Sequence, residues 1–153
     1  MQEKPHRLDS ALYHGHRAIA FTCCVAQRQN CFRDASAVRA VENILLQSLT
    51  KYNANAHVYL FMPDHLHVLL EGKDAQTDLY ECIVHFKQRS GFWLVKHAGV
   101  RWQKDFYDHI LRKEDEIEKQ VRYILENPVR KGITDDWKSY SYKGSTVYDF
   151  GQW

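Results

Sequence analysis

Two short alternating runs on either side of Pro63-Asp64 constrain this chain more than any other feature. In residues 56–62, His57, Tyr59 and Phe61 alternate with Val58, Leu60 and Met62; in residues 65–71, Leu66, Val68 and Leu70 alternate with His65, His67 and Leu69. Successive side chains of a strand point to opposite faces, so a period of two predicts two strands. The proline-aspartate pair predicts the short turn that joins them as an antiparallel hairpin.

The rest of the chain supplies partners for that hairpin. Residues 16–25, rich in β-formers, read as a first strand. Ser36 is an N-cap candidate for a first helix, because Val38, Val41, Ile44, Leu45, Leu46 and Leu49 recur at helical spacing to about Tyr52. Asp78 can cap a second helix running to about His97, weakened or bent at Gly91. Residues 102–111 suggest a fourth strand, and a third helix runs from about Glu114 to Asn127, where Pro128 ends it. Residues 1–12 read as a loose arm, and the last 20 residues show no periodicity. The order strand, helix, hairpin, helix, strand, helix predicts a single α+β domain over residues 1–153, with a ferredoxin-like or RRM-like antiparallel sheet carrying helices on one face. Such a layout specifies no function by itself.

Composition mainly excludes. No run approaches the roughly 18–20 apolar residues of a membrane span, and the N-terminus lacks the apolar core of a signal peptide, which predicts a cytoplasmic protein with no membrane partner. The net charge of +2 permits nucleic-acid binding without arguing for it. Cys23, Cys24, Cys31 and Cys82 have no zinc-ribbon spacing and read as reduced, mostly buried thiols.

Chemistry enters with His65 and His67. Residues i and i+2 share a strand face roughly 6.5–7 Å apart at Cα, so their imidazoles can converge on one divalent ion. A third ligand must come from elsewhere. In the third helix, Ile117, Val121, Ile124 and Leu125 form the apolar stripe, and Tyr123 lies well away from its centre. Asn127 is one turn on and shares the Tyr123 face, with Gln120 on the same side. A phenol titrates near ~10 and is a weak nucleophile at neutral pH unless the group it attacks is polarised. Two imidazoles, a carboxamide oxygen and an unburied phenol are the parts needed for metal-assisted attack on a phosphodiester.

Three segments carry a family resemblance: Met62-Pro-Asp-His-Leu-His-Val-Leu-Leu70, Trp102-Gln-Lys-Asp-Phe-Tyr-Asp-His109 and Tyr123-Ile-Leu-Glu-Asn-Pro-Val-Arg-Lys-Gly132. They resemble the HUH single-tyrosine transposases of the IS200-like insertion-sequence type, and within them the REP-associated branch, over about residues 14 to 142. The resemblance implies a metal-dependent endonuclease and strand transferase acting on single-stranded DNA. Tyr123 would become a 5′-phosphotyrosine. His65, His67 and Asn127 would hold a divalent ion, Mg²⁺ or Mn²⁺. The partners would be imperfect DNA hairpins of repeat elements near the gene, bound by a homodimer that is nucleoid-associated when on DNA, with the tyrosine helix completing the His site of its own chain or of the partner. Many insertion-sequence members carry Gln where this chain has Asn127.

Arg112, Arg122, Arg130 and Lys131 are candidate phosphate contacts, and Asp108, His109 and Gln120 a candidate support shell. Two other functions use some of the same residues. A catalytically silent hairpin-DNA or RNA binding module needs neither Tyr123 nor metal. A small metal-dependent hydrolase uses the His pair with water as nucleophile.

Overall fold

The computed structural model describes residues 9–153. Among them, β1 (Ala18–Cys24), β2 (Ala54–Met62), β3 (His65–Gly72), β4 (Tyr107–Leu111) and β5 (Lys143–Gly144) form one sheet in the order β4-β1-β3-β2-β5, with every pair antiparallel. The predicted hairpin is β2 and β3, and it occupies the middle of the sheet.

Alternation places the two faces. Ile19, Phe21 and Cys23 of β1, Tyr59 and Phe61 of β2, and Leu66, Val68 and Leu70 of β3 point into one core. That core is covered by α1 (Ala35–Tyr52) and α2 (Leu79–Ala98) through Val38, Val41, Leu45, Leu79, Ile83, Phe86 and Leu94. Val58, Leu60, Met62 and Leu69 point the other way, under Val121, Ile124 and Leu125 of α3 (Glu114–Leu125). The apolar stripe of the third helix therefore packs as its spacing predicts, but on the face opposite α1 and α2.

Several local expectations are corrected. Asp34, not Ser36, caps α1, and its carboxylate accepts from Ser36 N. α2 runs through Gly91 without a break; a Cβ there would lie 3.4 Å from Trp102 Cδ1, so the glycine lets the indole rest against the helix. The fourth strand is only Tyr107–Leu111, and Trp102 makes an isolated bridge to Val25. Pro128 does not stop a helix: α3 ends at Leu125, and a one-turn helix α4 (Asn127–Arg130) follows. Pro128 sits in its first turn, where a missing N–H has no partner to lose.

His57 does not share a face with Tyr59 and Phe61. The β2–β3 register shifts between Ala56 and Val58, and this bulge turns His57 toward Glu71 and Tyr148 on the α3 face. The last residues, without periodicity in sequence, supply β5 and an aromatic group, Tyr140, Tyr148, Phe150 and Trp153, that closes the second core. Of the predicted arm, residues 1–8 lie outside the described residues, while Ser10–Tyr13 is a 3-10 turn that buries Tyr13. No helix among the described residues is long and apolar enough to cross a membrane. Burial pushes the Cys82 thiol up to about 12 and the Cys31 thiol up to about 11, so both stay protonated near neutrality.

Candidate active site

β3 carries His65 and His67 on the α3 face, and their Nε2 atoms lie 3.1 Å apart. Each ring is held from behind by its other nitrogen. His65 Nδ1 meets Asp64 Oδ1 at 2.7 Å, and Asp64 Oδ2 accepts from Arg28 Nε at 2.9 Å. Because a carboxylate only accepts, the His65 proton sits on Nδ1 and its Nε2 lone pair points at His67. His67 Nδ1 meets Thr22 Oγ1 at 3.0 Å, across the pair of β1 and β3 residues that the register sets opposite each other.

The charges agree with this arrangement. Burial alone would raise the Asp64 carboxyl, but hydrogen bonds from Arg28 and His65 outweigh it and hold the group below the usual carboxylate range. Burial lowers His65, partly offset by its bond to Asp64. His67 is pushed down to about 3, first by burial, then by competition with the adjacent His65 and by the Arg130 and Arg28 charges. Both imidazoles are thus neutral, the form that binds metal.

A cavity of about 410 Å³ opens beside His67 and is shared by α3 and α4: Thr22, His67, His109, Gln120, Tyr123, Asn127 and Arg130 line it. Tyr123 is 59% exposed, and the guanidinium of Arg130 lies 3.8 Å from the centre of its ring. Arg130 Nη2 also donates to the Tyr123 carbonyl at 2.7 Å, which ties α4 back to α3. Asn127 is 6% exposed, yet its carboxamide makes no hydrogen bond among the described residues. The carboxamide reaches the cavity, where it is open to a ligand.

The donors fit a divalent ion. Two metal–nitrogen bonds of about 2.1 Å at roughly a right angle span about 3.0 Å, close to the His pair as it stands. No group of three His, Cys, Asp or Glu side chains that could hold a metal occurs among the described residues. A third protein ligand would be of another type, and the carboxamides of Asn127 and Gln120 both line the cavity beside His67.

Other candidates separate around this cavity. Gln120 and His109 line it. Lys131 lies near enough for its charge to bear on His65. Asp108, a strand neighbour of His109, points to the opposite face, where Tyr13 Oη donates to it at 2.6 Å. Arg112 and Arg122 line a different, larger cavity of about 1100 Å³ beyond α3; there Arg122 pairs with Glu118 and lies over the Trp153 ring. Thr22, Asp64 and Arg28 were not legible as site residues. Asp64 could have been found from its place directly before His65, whereas Thr22 needs the strand register and Arg28 the path of a loop with positive φ at Gln27 and Arg28.

Comparison with known proteins bears on the fold and the family. A Haemophilus influenzae protein assigned as a REP-associated tyrosine transposase is 23% identical over 109 residues, spanning 63% of this chain and 61% of that relative. A solved REP-associated tyrosine transposase bound to a REP hairpin superposes with a TM-score of 0.76 at 16% identity, covering 92% of this chain and 81% of that one. A Deinococcus radiodurans chain assigned as a transposase superposes at 0.54 and 16% identity, covering 83% and 97%. At such identity the structures show a shared fold. The model of the family described as "Transposase IS200 like" matches residues 15–127, from just before β1 to Asn127. That match takes in the sheet strands β1 to β4, the His pair and the Tyr123 helix, and the chain belongs to the IS200-like transposase family.

Proposed function

We propose that the chain is a site-specific nuclease and strand transferase for single-stranded DNA, working beside hairpins through a covalent tyrosine intermediate. The observation that carries this reading is the shared cavity: one chain brings Tyr123 and Asn127 to the same space as His67, whose Nε2 lies 3.1 Å from that of His65. The REP hairpin bound by the structural relative supports a hairpin as substrate.

Tyr123 is the nucleophile. Its oxygen bonds to the phosphorus of a phosphodiester, the phosphorus–O3′ bond breaks, and the 3′ oxygen leaves as a hydroxyl carrying the equivalent of the proton the phenol gave up. The 5′ phosphate stays on Tyr123, and attack by a 3′-OH reverses the step without a nucleotide cofactor. A divalent ion, Mg²⁺ or Mn²⁺, held by His65, His67 and Asn127 would polarise the scissile phosphate. Arg130, stacked on the Tyr123 ring, adds a fixed positive charge where phosphate oxygens gather. Gln120 and His109 line the same walls and orient the strand. Such a protein works in the cytoplasm, on the nucleoid.

The test is a covalent-adduct assay with Mn²⁺ and labelled single-stranded hairpins taken from repeats beside the gene, resolved under denaturing conditions. The wild type is expected to form an adduct that Tyr123→Phe and His65→Ala abolish. Hairpin binding without an adduct under any metal would leave a silent binding module. Cleavage without an adduct would point to a hydrolase.

A further inference from the structure

A second feature lies on the other side of the sheet from Tyr123. The outer face of α2 and the segment of residues 101–106 enclose a groove of about 590 Å³. Tyr80, Val84, Gly91, Phe92 and Val95 form one wall at helical spacing; Tyr80 and Val84 are half-buried against the core, while Phe92 and Val95 are exposed. Phe92 is 73% exposed, the highest value among the large apolar side chains described.

The opposite wall is hydrogen-bonded in place and carries two basic residues, Arg101 and Lys104, with one acid, Asp105. Lys87 Nζ donates to the carbonyls of Gln103, Lys104 and Asp105, so all three of its protons hold backbone. Trp102 Nε1 donates to Ser90 Oγ, Ala26 N to Arg101 O, and Gln103 N to Cys24 O. The side chains of Arg101 and Lys104 take no part in this scaffold: both residues are exposed, and these side chains make no hydrogen bond or ion pair among the described residues. Lys96 is exposed one turn beyond Phe92.

We propose that this groove binds an unpaired base of single-stranded DNA, stacked on Phe92, with the flanking phosphates on Arg101 and Lys104. An exposed aromatic face beside cations with no partner of their own is the pairing that recognises a base and its backbone together. A second copy of this chain fits worse, since a two-fold contact would gather both copies of Arg101, Lys104 and Lys96 in one interface. The groove is also tied to the strands that carry the site. Its basic wall is bonded to Cys24, the register partner of His65, and Phe106 at its floor is followed by Tyr107, which stands opposite Thr22 on the cavity side. The proposal deepens the reading of the chain as a single-strand DNA enzyme and rests on it for the identity of the strand.

The test uses the full chain, without metal, and a fluorescein-labelled oligothymidylate 15-mer followed by anisotropy at several salt concentrations. Phe92→Ala is expected to weaken binding about tenfold, the loss of one base-on-aromatic stack, and Phe92→Trp to restore it. Arg101→Gln with Lys104→Gln is expected to lower the slope of log affinity against log salt by about 1.4, at ~0.7 per phosphate contact. Photocrosslinking from 5-iododeoxyuridine is expected to mark residues 88–106. Unchanged binding in Phe92→Ala, or crosslinks confined to residues 120–130, would overturn the proposal while leaving the Tyr123 chemistry standing. Conversely, Phe92-dependent binding by a chain that forms no adduct would sink the Tyr123 reading and keep the groove. If Phe92→Ala dissociates a dimer in sedimentation and leaves oligonucleotide binding intact, the occupant is a second copy and the proposal falls.

Discussion

Thr22 Oγ1 stands 3.0 Å from His67 Nδ1, and the hydroxyl can meet that nitrogen in either protonation pattern. With no metal, His65 Nε2 is bare because Asp64 holds the proton on Nδ1, so the proton between the two rings belongs to His67 Nε2. His67 Nδ1 is then an acceptor and Thr22 donates. A metal requires His67 Nε2 bare as well, which moves the proton to Nδ1 and makes Thr22 the acceptor. A rotating hydroxyl permits both. Thr22→Val is therefore expected to weaken Mn²⁺ binding about 10- to 100-fold by calorimetry, and Thr22→Ser to restore most of it.

Arg130 reaches Tyr123 twice, over the ring and at the carbonyl. Arg130→Ala is expected to slow adduct formation about 10²-fold, the scale of losing one preorganised charge at a reacting phosphate, with little change in melting temperature. Arg130→Lys keeps the charge and loses the planar stack, so its rate should fall between the two. Single-turnover gels at saturating protein measure both.

Gly144 is required by a neighbour. A Cβ on it would lie 2.2 Å from Tyr59 Oη and 2.3 Å from Tyr59 Cζ, and Tyr59 cannot retreat without breaking its hydrogen bond to Glu42. Gly144→Ala should destabilise the fold by about 1–3 kcal/mol in urea titration, the usual range for overpacking.

Alkaline stability tests a second aromatic. Burial first, and the adjacent Tyr142 second, push the Tyr140 phenol up to about 12. In the unfolded chain it releases its proton near ~10. Between those values the unfolded state binds fewer protons, so this contribution is intact below pH ~10 and declines as pH rises toward about 12. Tyr140→Phe should flatten the fall of the urea midpoint between pH 9 and 11.

What was legible follows from where each signal resides. Alternation in residues 65–71 reported the face of His65 and His67 because one strand side is apolar throughout. The stripe through Val121, Ile124 and Leu125 placed Tyr123 outside the core for the same reason. His57 was misplaced because a bulge leaves no mark in the alternation it interrupts. Asp108 and His109 are strand neighbours, so only one could face the cavity, a constraint already contained in the sequence. Two-residue β5 has no period to detect; it exists because β2 offers an open edge. Arg112 and Arg122 needed the tilt of α3 on the sheet, which depends on contacts distant in sequence.

The position of α3 on the sheet of its own chain bears on stoichiometry. His67, Tyr123 and Asn127 line one cavity within one polypeptide, with His65 bonded to His67; on the proposed reading each molecule would carry a full complement for one cut. Mixing chains that lack the phenol with chains that lack an imidazole then yields no complete set, and complementation between them fails. Two chains brought together on DNA would act as two independent cutters, and the initial rate would rise in proportion to protein rather than to its square.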